Sequence, residues 1–115
     1  MGARLQQLAG EGQTCMPEVL LDFSMPVQGP NGLAYTARAV GEEMPDGLWH
    51  GWIEFSTADH SELVATGRET TQPNRTDLVY WATGLTQIYL EGALTRAFDV
   101  NRSRHAAQHL QTHSP

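Results

Sequence analysis

The stretch GRETTQPNRTDLVYWATGLTQIYLEGALTRAF, residues Gly67–Phe98, decides the fold of this chain. It begins as a β-strand, turns at Gln72-Pro73-Asn74 and continues with apolar residues at helical spacing. Apolar residues three and four positions apart form one apolar face of a helix. The sequence before this stretch is typical of short strands with one apolar face each. We therefore expect the helical segment to cover that face of a sheet.

The first predicted helix has signals at both of its ends. Pro73 stops the preceding strand, because proline cannot donate to a sheet ladder. Asn74 is a good N-cap, and Asp77 three residues later resembles a capping box. Gly84 is predicted to end or bend the helix. The apolar residues at helical spacing between these signals and just beyond them are Leu78, Trp81, Ala82 and Leu85.

A second apolar stripe follows after Thr86. The pairs that recur every four residues are Tyr89/Leu90, Ala93/Leu94 and Ala97/Phe98. This period indicates a second helix on the same layer. A short strand over Gln87–Leu90 is the alternative, because four residues are too few to separate the two periods.

Four upstream segments alternate apolar and polar residues, which is the pattern of half-buried strands. They span Glu18–Gln28, Leu33–Glu43, Leu48–Thr57 and Glu62–Thr71, and turn residues separate them. Short connections between successive strands predict an antiparallel meander in the order 1-2-3-4. The predicted fold is therefore α+β, with a four-stranded antiparallel meander covered on one face by the C-terminal helical segment. Pro26 predicts that the first strand lies at an edge or ends in a bulge.

The alternation assigns the side chains of each strand to an inner or an outer face. The residues predicted to face inward are Val19, Leu21, Phe23, Met25, Val27, Leu33, Tyr35, Ala37, Ala39, Trp49, Gly51, Ile53, Phe55, Leu63, Ala65 and Gly67. If Phe55 lies opposite Leu63, then Gly51 lies opposite Gly67, and with Ala39 these small residues form a shallow trough. Either a crossing helix fills this trough with Trp81 or Tyr80, or it is a ligand cavity.

Length and charge limit the possible functions. At 115 residues the chain is predicted to be one domain, with a flexible arm over residues 1–16, the domain over 17–99 and a polar tail over 100–115. The net charge is −6 and all seven basic residues are Arg. This balance disfavours a nucleic-acid partner, which needs clustered basic residues.

Other sequence features predict a cytosolic protein without a cofactor. The first twelve residues lack the apolar run of a signal peptide, and no window is apolar enough for a membrane span. Cys15 is the single cysteine, so neither an intrachain disulfide nor a cysteine-based metal site is expected.

The run GRETTQPNRTDLVYWATGL, followed by YLEGALTRA, resembles a pattern of small uncharacterised bacterial proteins. The resemblance covers residues from about Trp49 to Phe98. It implies a bacterial, single-domain protein, and it implies no activity and no site residues.

The outer face of the sheet is the first candidate site. The predicted register places Trp52 between Arg38 and Thr66, His50 beside Arg68, and Glu54 near Thr36. An aromatic side chain with arginine nearby on a solvent-facing surface is typical of interfaces. Cation–π stacking of Arg38 on Trp52 would also explain the pattern, and so would a platform for a ligand.

The second candidate is the segment from Arg68 to Arg75, where a strand leads into a helix. Backbone donors at a helix start can hold an anion, and two arginines would strengthen such a site. A ligand site built from this rim and the trough would use Gly51, Gly67, Arg68, Asn74, Arg75 and Trp81. Alternatively, Asn74 and Asp77 only cap the helix, while the arginines pair with Glu62 or Glu69.

Catalysis and metal binding have weaker signals. His50, Glu54 and Glu69 could form an acid–base set, but the alternation places Glu69 on the opposite face from His50. No nucleotide, hydrolase or metalloprotease motif is present in the sequence. His105, His109 and His113 would align on one helical face, without carboxylate or thiolate ligands beside them. The sequence favours a non-catalytic binding or adaptor module that forms a homodimer, through the outer face or the fourth strand's edge. The alternative is a small-ligand protein or enzyme that uses the trough.

Overall fold

The computed structural model describes the backbone of residues 16–113 and the side chains of residues 16–100. The chain forms six strands and two helices within that range. They are β1 (Glu18–Asp22), β2 (Val27–Gln28), β3 (Ala34–Glu43), β4 (Trp49–Ser56), β5 (Leu63–Ala65), β6 (Thr70–Gln72), α1 (Arg75–Thr83) and α2 (Gln87–His113). Residues 1–15 of the predicted arm, including Cys15, lie outside the described residues.

The six strands occupy four positions in one antiparallel sheet. The order is β1-β3-β4-β5, while β2 also pairs with β3 and β6 also pairs with β4. The α+β class and the antiparallel sheet are confirmed. The predicted count of four strands is wrong, because each outer strand is broken into two pieces.

The first break lies between β1 and β2. The pairing shifts between Val19 and Leu21, and the chain leaves the ladder after Asp22 and rejoins it at Val27. Pro26 falls inside this gap, where its missing N–H leaves no ladder bond unmade. The shifts also correct the predicted inner face, because Val19 and Met25 are exposed while Val27 is fully buried.

The second break lies between β5 and β6, and it overturns the predicted register. Phe55 pairs with Val64 rather than Leu63, and Gly51 pairs with Thr70 rather than Gly67. A slip of one residue moves every side chain of a strand to the other face. Accordingly Val64 is buried, while Leu63 is 65% exposed.

The two central strands follow the predicted alternation. Tyr35, Ala37 and Ala39 of β3 are buried, and so are Ile53 and Phe55 of β4. All of them except Ala39 belong to one core cluster with the buried stripe of α2, which consists of Leu90, Ala93, Leu94 and Ala97. Full burial of one large apolar side chain contributes about 1.5–3 kcal/mol. This face therefore supplies the core, and its helical cover is confirmed.

Helix α1 begins and ends where the sequence predicts. The Asn74 side chain accepts a hydrogen bond of 2.8 Å from the backbone N–H of Asp77. Gly84 is the C-cap residue and donates its N–H to the carbonyl of Trp81. Leu78 and Ala82 are fully buried, so α1 lies directly on the sheet.

Helix α2 begins at Gln87, so the alternative of a strand over Gln87–Leu90 is wrong. Thr86 Oγ1 accepts a hydrogen bond of 3.1 Å from the N–H of Tyr89, which is the geometry of an N-cap. The backbone stays helical to His113, through the segment predicted as a tail. Neither helix, as far as the structure describes them, is long and apolar enough to cross a membrane.

Candidate functional site

The outer face of β3 and β4 carries four cross-strand pairs. They are Thr36/Ser56, Arg38/Glu54, Val40/Trp52 and Glu42/His50. The predicted outward direction of His50, Trp52 and Glu54 agrees with this alternation. The predicted neighbours are wrong by two residues, because Val40 rather than Arg38 lies opposite Trp52.

Three side chains on this face form a hydrogen-bonded network around Glu54. Arg38 donates to Glu54 Oε1 from Nε at 3.2 Å and from Nη2 at 3.1 Å. Trp52 donates its indole N–H to Glu54 Oε2 at 3.2 Å. One carboxylate therefore holds both the guanidinium and the indole in place. The cation–π contact among the described side chains joins Arg96 to Tyr89 instead, with 5.4 Å from guanidinium carbon to ring centroid.

Val40 is buried on the outer face, which sequence reasoning did not predict. It is 3% exposed, although the described side chains through which both helices contact the sheet pack on the inner face. Its cross-strand partners are Val19 and Trp52, so these three residues form an apolar row across three strands. The Arg38/Glu54 pair flanks this row on one side and the Glu42/His50 pair flanks it on the other. An apolar centre with a polar rim is the usual anatomy of a protein interface.

Two residues of the predicted interface do not join this face. Thr66 is buried, and its hydroxyl accepts a hydrogen bond of 3.1 Å from the backbone N–H of Ile53. Arg68 is exposed in the break between β5 and β6. His50 lies between Glu42 and Thr71 rather than beside Arg68.

The small residues of the inner face are covered by α1. Gly41 and Gly51 are cross-strand partners, and a methyl group on Gly51 would lie 2.8 Å from both Leu78 Cδ1 and Trp81 Cζ3. A methyl group on Gly67, in contrast, would meet nothing within 4 Å. The trough is thus centred on Gly41 and Gly51 rather than Gly67. Leu78 and Trp81 occupy the space that a ligand would need at Gly51.

Two residues of the predicted anion site, Asn74 and Arg75, form hydrogen bonds within the protein itself. Asn74 caps α1, and Arg75 donates to both carboxylate oxygens of Glu18, with 2.7 Å from Nη2 to Oε2. The hydrogen bond from Arg75 lowers the pKa of Glu18 below its ordinary value. Arg75 therefore pairs with neither Glu62 nor Glu69.

A second polar cluster, missed by sequence reasoning, joins the β5–β6 break to α2. Glu69 Oε1 accepts from the Tyr89 hydroxyl and from Arg96 Nη2, which lies 2.6 Å away. Burial, and then the bond to Glu69, raises the pKa of Tyr89. The cluster fastens α2 to the edge strand. It also separates Glu69 from His50 and Glu54, so the structure does not assemble the predicted acid–base set.

The described side chains offer no metal centre, since no group of three or more His, Cys, Asp or Glu residues comes together among them. The side chains of His105, His109 and His113 lie outside the described residues.

Comparisons of this chain with protein-family models, with curated proteins and with solved structures find no match. The functional inference therefore depends on the geometry of the outer face.

Proposed function

We propose that this protein is a non-catalytic binding module that acts as a homodimer and associates through the outer face of its sheet. The observation that carries the proposal is the apolar row formed by Val19, Val40 and Trp52. On this face Val19 is 44% exposed and Trp52 is partly exposed, while Val40 between them is already buried at 3% exposure. A buried valine beside a fixed indole gives this face a small hydrophobic centre that a second surface can extend.

The size of the face corresponds to a small interface, at the lower end of the range for association with a folded partner. Strand β4 has eight residues, which corresponds to about 27 Å of strand length. Four strand positions correspond to about 19 Å of width. The projected area of about 500 Å² becomes larger once side-chain relief is included, and a standard interface needs about 800 Å² per partner.

The structure of the sheet edges favours the face over the fourth edge as the dimer contact. Continuous edge strands invite pairing with a second sheet, whereas breaks and bulges discourage it. The first edge is broken around Pro26, and the fourth is broken at Gly67 and Arg68. We therefore assign the contact to the outer face. The cytosolic and bacterial setting remains part of the proposal, and the pattern within Gly67–Phe98 supports its bacterial part.

Light scattering coupled to size exclusion tests this proposal. The wild-type chain of 12.7 kDa is expected to elute with twice that mass. Trp52→Ala is expected to shift the equilibrium toward monomer by at least tenfold in Kd, because truncating a central interface aromatic costs about 1.4 kcal/mol or more. Tyr80→Ala is the matched control, since Tyr80 is 80% exposed on α1 and lies outside the outer face. A wild-type chain that stays monomeric at millimolar concentration would exclude the dimer.

A further inference from the structure

We infer that two copies associate about a twofold axis that runs parallel to β3 and β4 and passes between them. Each outer-face residue of β3 has a cross-strand partner on β4 of its own chain. In the dimer, the same β3 residue also faces the equivalent β4 residue of the second copy. This inference rests on the proposed dimer and adds its geometry and its pairing rules.

The pairing follows from the symmetry of face-to-face sheets. A rotation about an axis along the strands keeps the position of a residue along its strand and exchanges β3 with β4. Arg38 therefore faces Glu54 of the second copy, Val40 faces Trp52, and Glu42 faces His50. Strand directions stay aligned in this arrangement, as they are in most packed pairs of sheets.

Every one of these contacts joins unlike residues. The Arg38/Glu54 pair combines opposite charges, and Glu42/His50 combines an acid with a base. Val40/Trp52 combines a valine that is already buried within its own chain with a partly exposed indole, so the indole is the side chain of this pair that extends toward the second copy. The two residues of each cross-strand pair are complementary within one chain. The same two residue types face each other across the dimer, so the contact between the copies is also complementary. Two such contacts of each kind form in one dimer.

The position of Val19, at the end of the apolar row, supports the same axis. The axis brings the Val19 position of one copy over the break between β5 and β6 of the other. That break contains Gly67, where a β-carbon would meet nothing within 4 Å. The exposed Val19 side chain thus faces a break that contains both the open space at Gly67 and the exposed Arg68 side chain.

A twofold axis perpendicular to the strands fits less well. If it follows the apolar row, it places Trp52 on Trp52 and Val40 on Val40. Two indoles would then crowd at one point while two valines leave a void, whereas packed sheets lie about 10 Å apart at near-crystalline density. This arrangement would also oppose Arg38 to Glu42, so charge reversal can separate the two axes.

The experiment uses three variants of the full chain: Arg38→Glu, Glu54→Arg and Glu42→Arg. Under the inferred axis, Arg38→Glu places two acidic side chains opposite each other at two places in the dimer. Glu54→Arg likewise places two arginines opposite each other at two places. Each is therefore expected to raise the Kd of dimerisation by at least tenfold, as sedimentation equilibrium would measure. Mixing Arg38→Glu with Glu54→Arg is expected to restore a heterodimer with a Kd near the wild-type value. Glu42→Arg alone is expected to change the Kd by less than about fivefold, because the new arginine faces the imidazole of His50 rather than another arginine.

The outcomes separate this inference from the proposed function. If Glu42→Arg weakens the dimer as strongly as Arg38→Glu, or if the mixture stays monomeric, the axis is wrong even though the Trp52-dependent dimer stands. Wild-type affinity in the separate Arg38→Glu and Glu54→Arg samples would also overturn the axis. A monomeric wild-type chain would remove the proposed function itself. Far-UV circular dichroism of each variant establishes that the fold is intact.

Discussion

The two faces of the central strands are built from alternate residues of the same segments, yet they are completed differently. On the inner face, Gly51 and Phe55 of β4 meet α1 and the α2-centred core respectively. On the outer face, Trp52 and Glu54 are hydrogen-bonded to each other, and their cross-strand partners on β3 are Val40 and Arg38. The inner face is covered by the two helices of the same chain. The outer face has an apolar row and a polar rim, and we propose that a second copy of the chain covers it.

The largest expected effect is a difference in unfolding free energy between truncations on the two faces. Phe55→Ala removes a fully buried ring from the core, and such truncations cost about 3–5 kcal/mol. Trp52→Ala, three residues earlier on the same strand, removes a half-buried indole from the outer face. We expect it to cost less than about 1.5 kcal/mol, since only its partly buried area is lost.

Urea unfolding followed by circular dichroism measures both costs, at protein concentrations where the dimer is dissociated. Equal losses of unfolding free energy for the two variants would show that the outer face is also part of the core, and the contrast between the faces would fail.

Gly51 and Gly67 differ in the space beside their α-carbons, and valine substitutions test this difference. Gly51→Val is expected to lower the free energy of unfolding by about 2–3 kcal/mol, because overpacking forces Leu78 and Trp81 to move. The matched control is Gly67→Val, where the added atoms meet open space. That control is expected to stay within about 0.5 kcal/mol of wild type.

Thermal and chemical unfolding of both glycine variants distinguish the positions. A tolerant Gly51 would mean that α1 does not approach the sheet closely, and the trough would again be available to a ligand.

Local signals were sufficient for much of this fold. The alternation of β3 and β4 fixed which side chains face the helices, and Asn74 with Gly84 marked the ends of α1. The same alternation placed Arg38, Trp52 and Glu54 on the outer face. These features depend on residues that are close in the chain, where periodicity and capping chemistry operate.

The sequence alone did not predict the register between β4 and its neighbours β5 and β6. Leu63, Val64 and Ala65 are all apolar, so alternation could not choose the inward residue, and the break after Thr66 shifted the pairing further. The neighbours of Trp52 were therefore misassigned, and the burial of Val40 was missed. The Glu69 cluster escaped notice because Tyr89 and Arg96 lie 20 and 27 residues away along the chain.

The smallest expected effect concerns the ion pair that joins β1 to α1, at the border of the inner face. Hydrogen bonding by Arg75 lowers the pKa of Glu18 in the folded state. Glu18 therefore contributes stability above the ordinary pKa of glutamate, and this contribution is lost as the pH falls through the folded-state pKa. A double-mutant cycle of Glu18→Gln and Arg75→Gln isolates the coupling at each pH. We expect the favourable coupling at pH 7 to be small, because both side chains are about half exposed and screened by water. The coupling is expected to disappear once the pH falls below the lowered pKa of Glu18. A coupling that persists unchanged at low pH would show that Arg75 positions α1 by packing rather than by its charge.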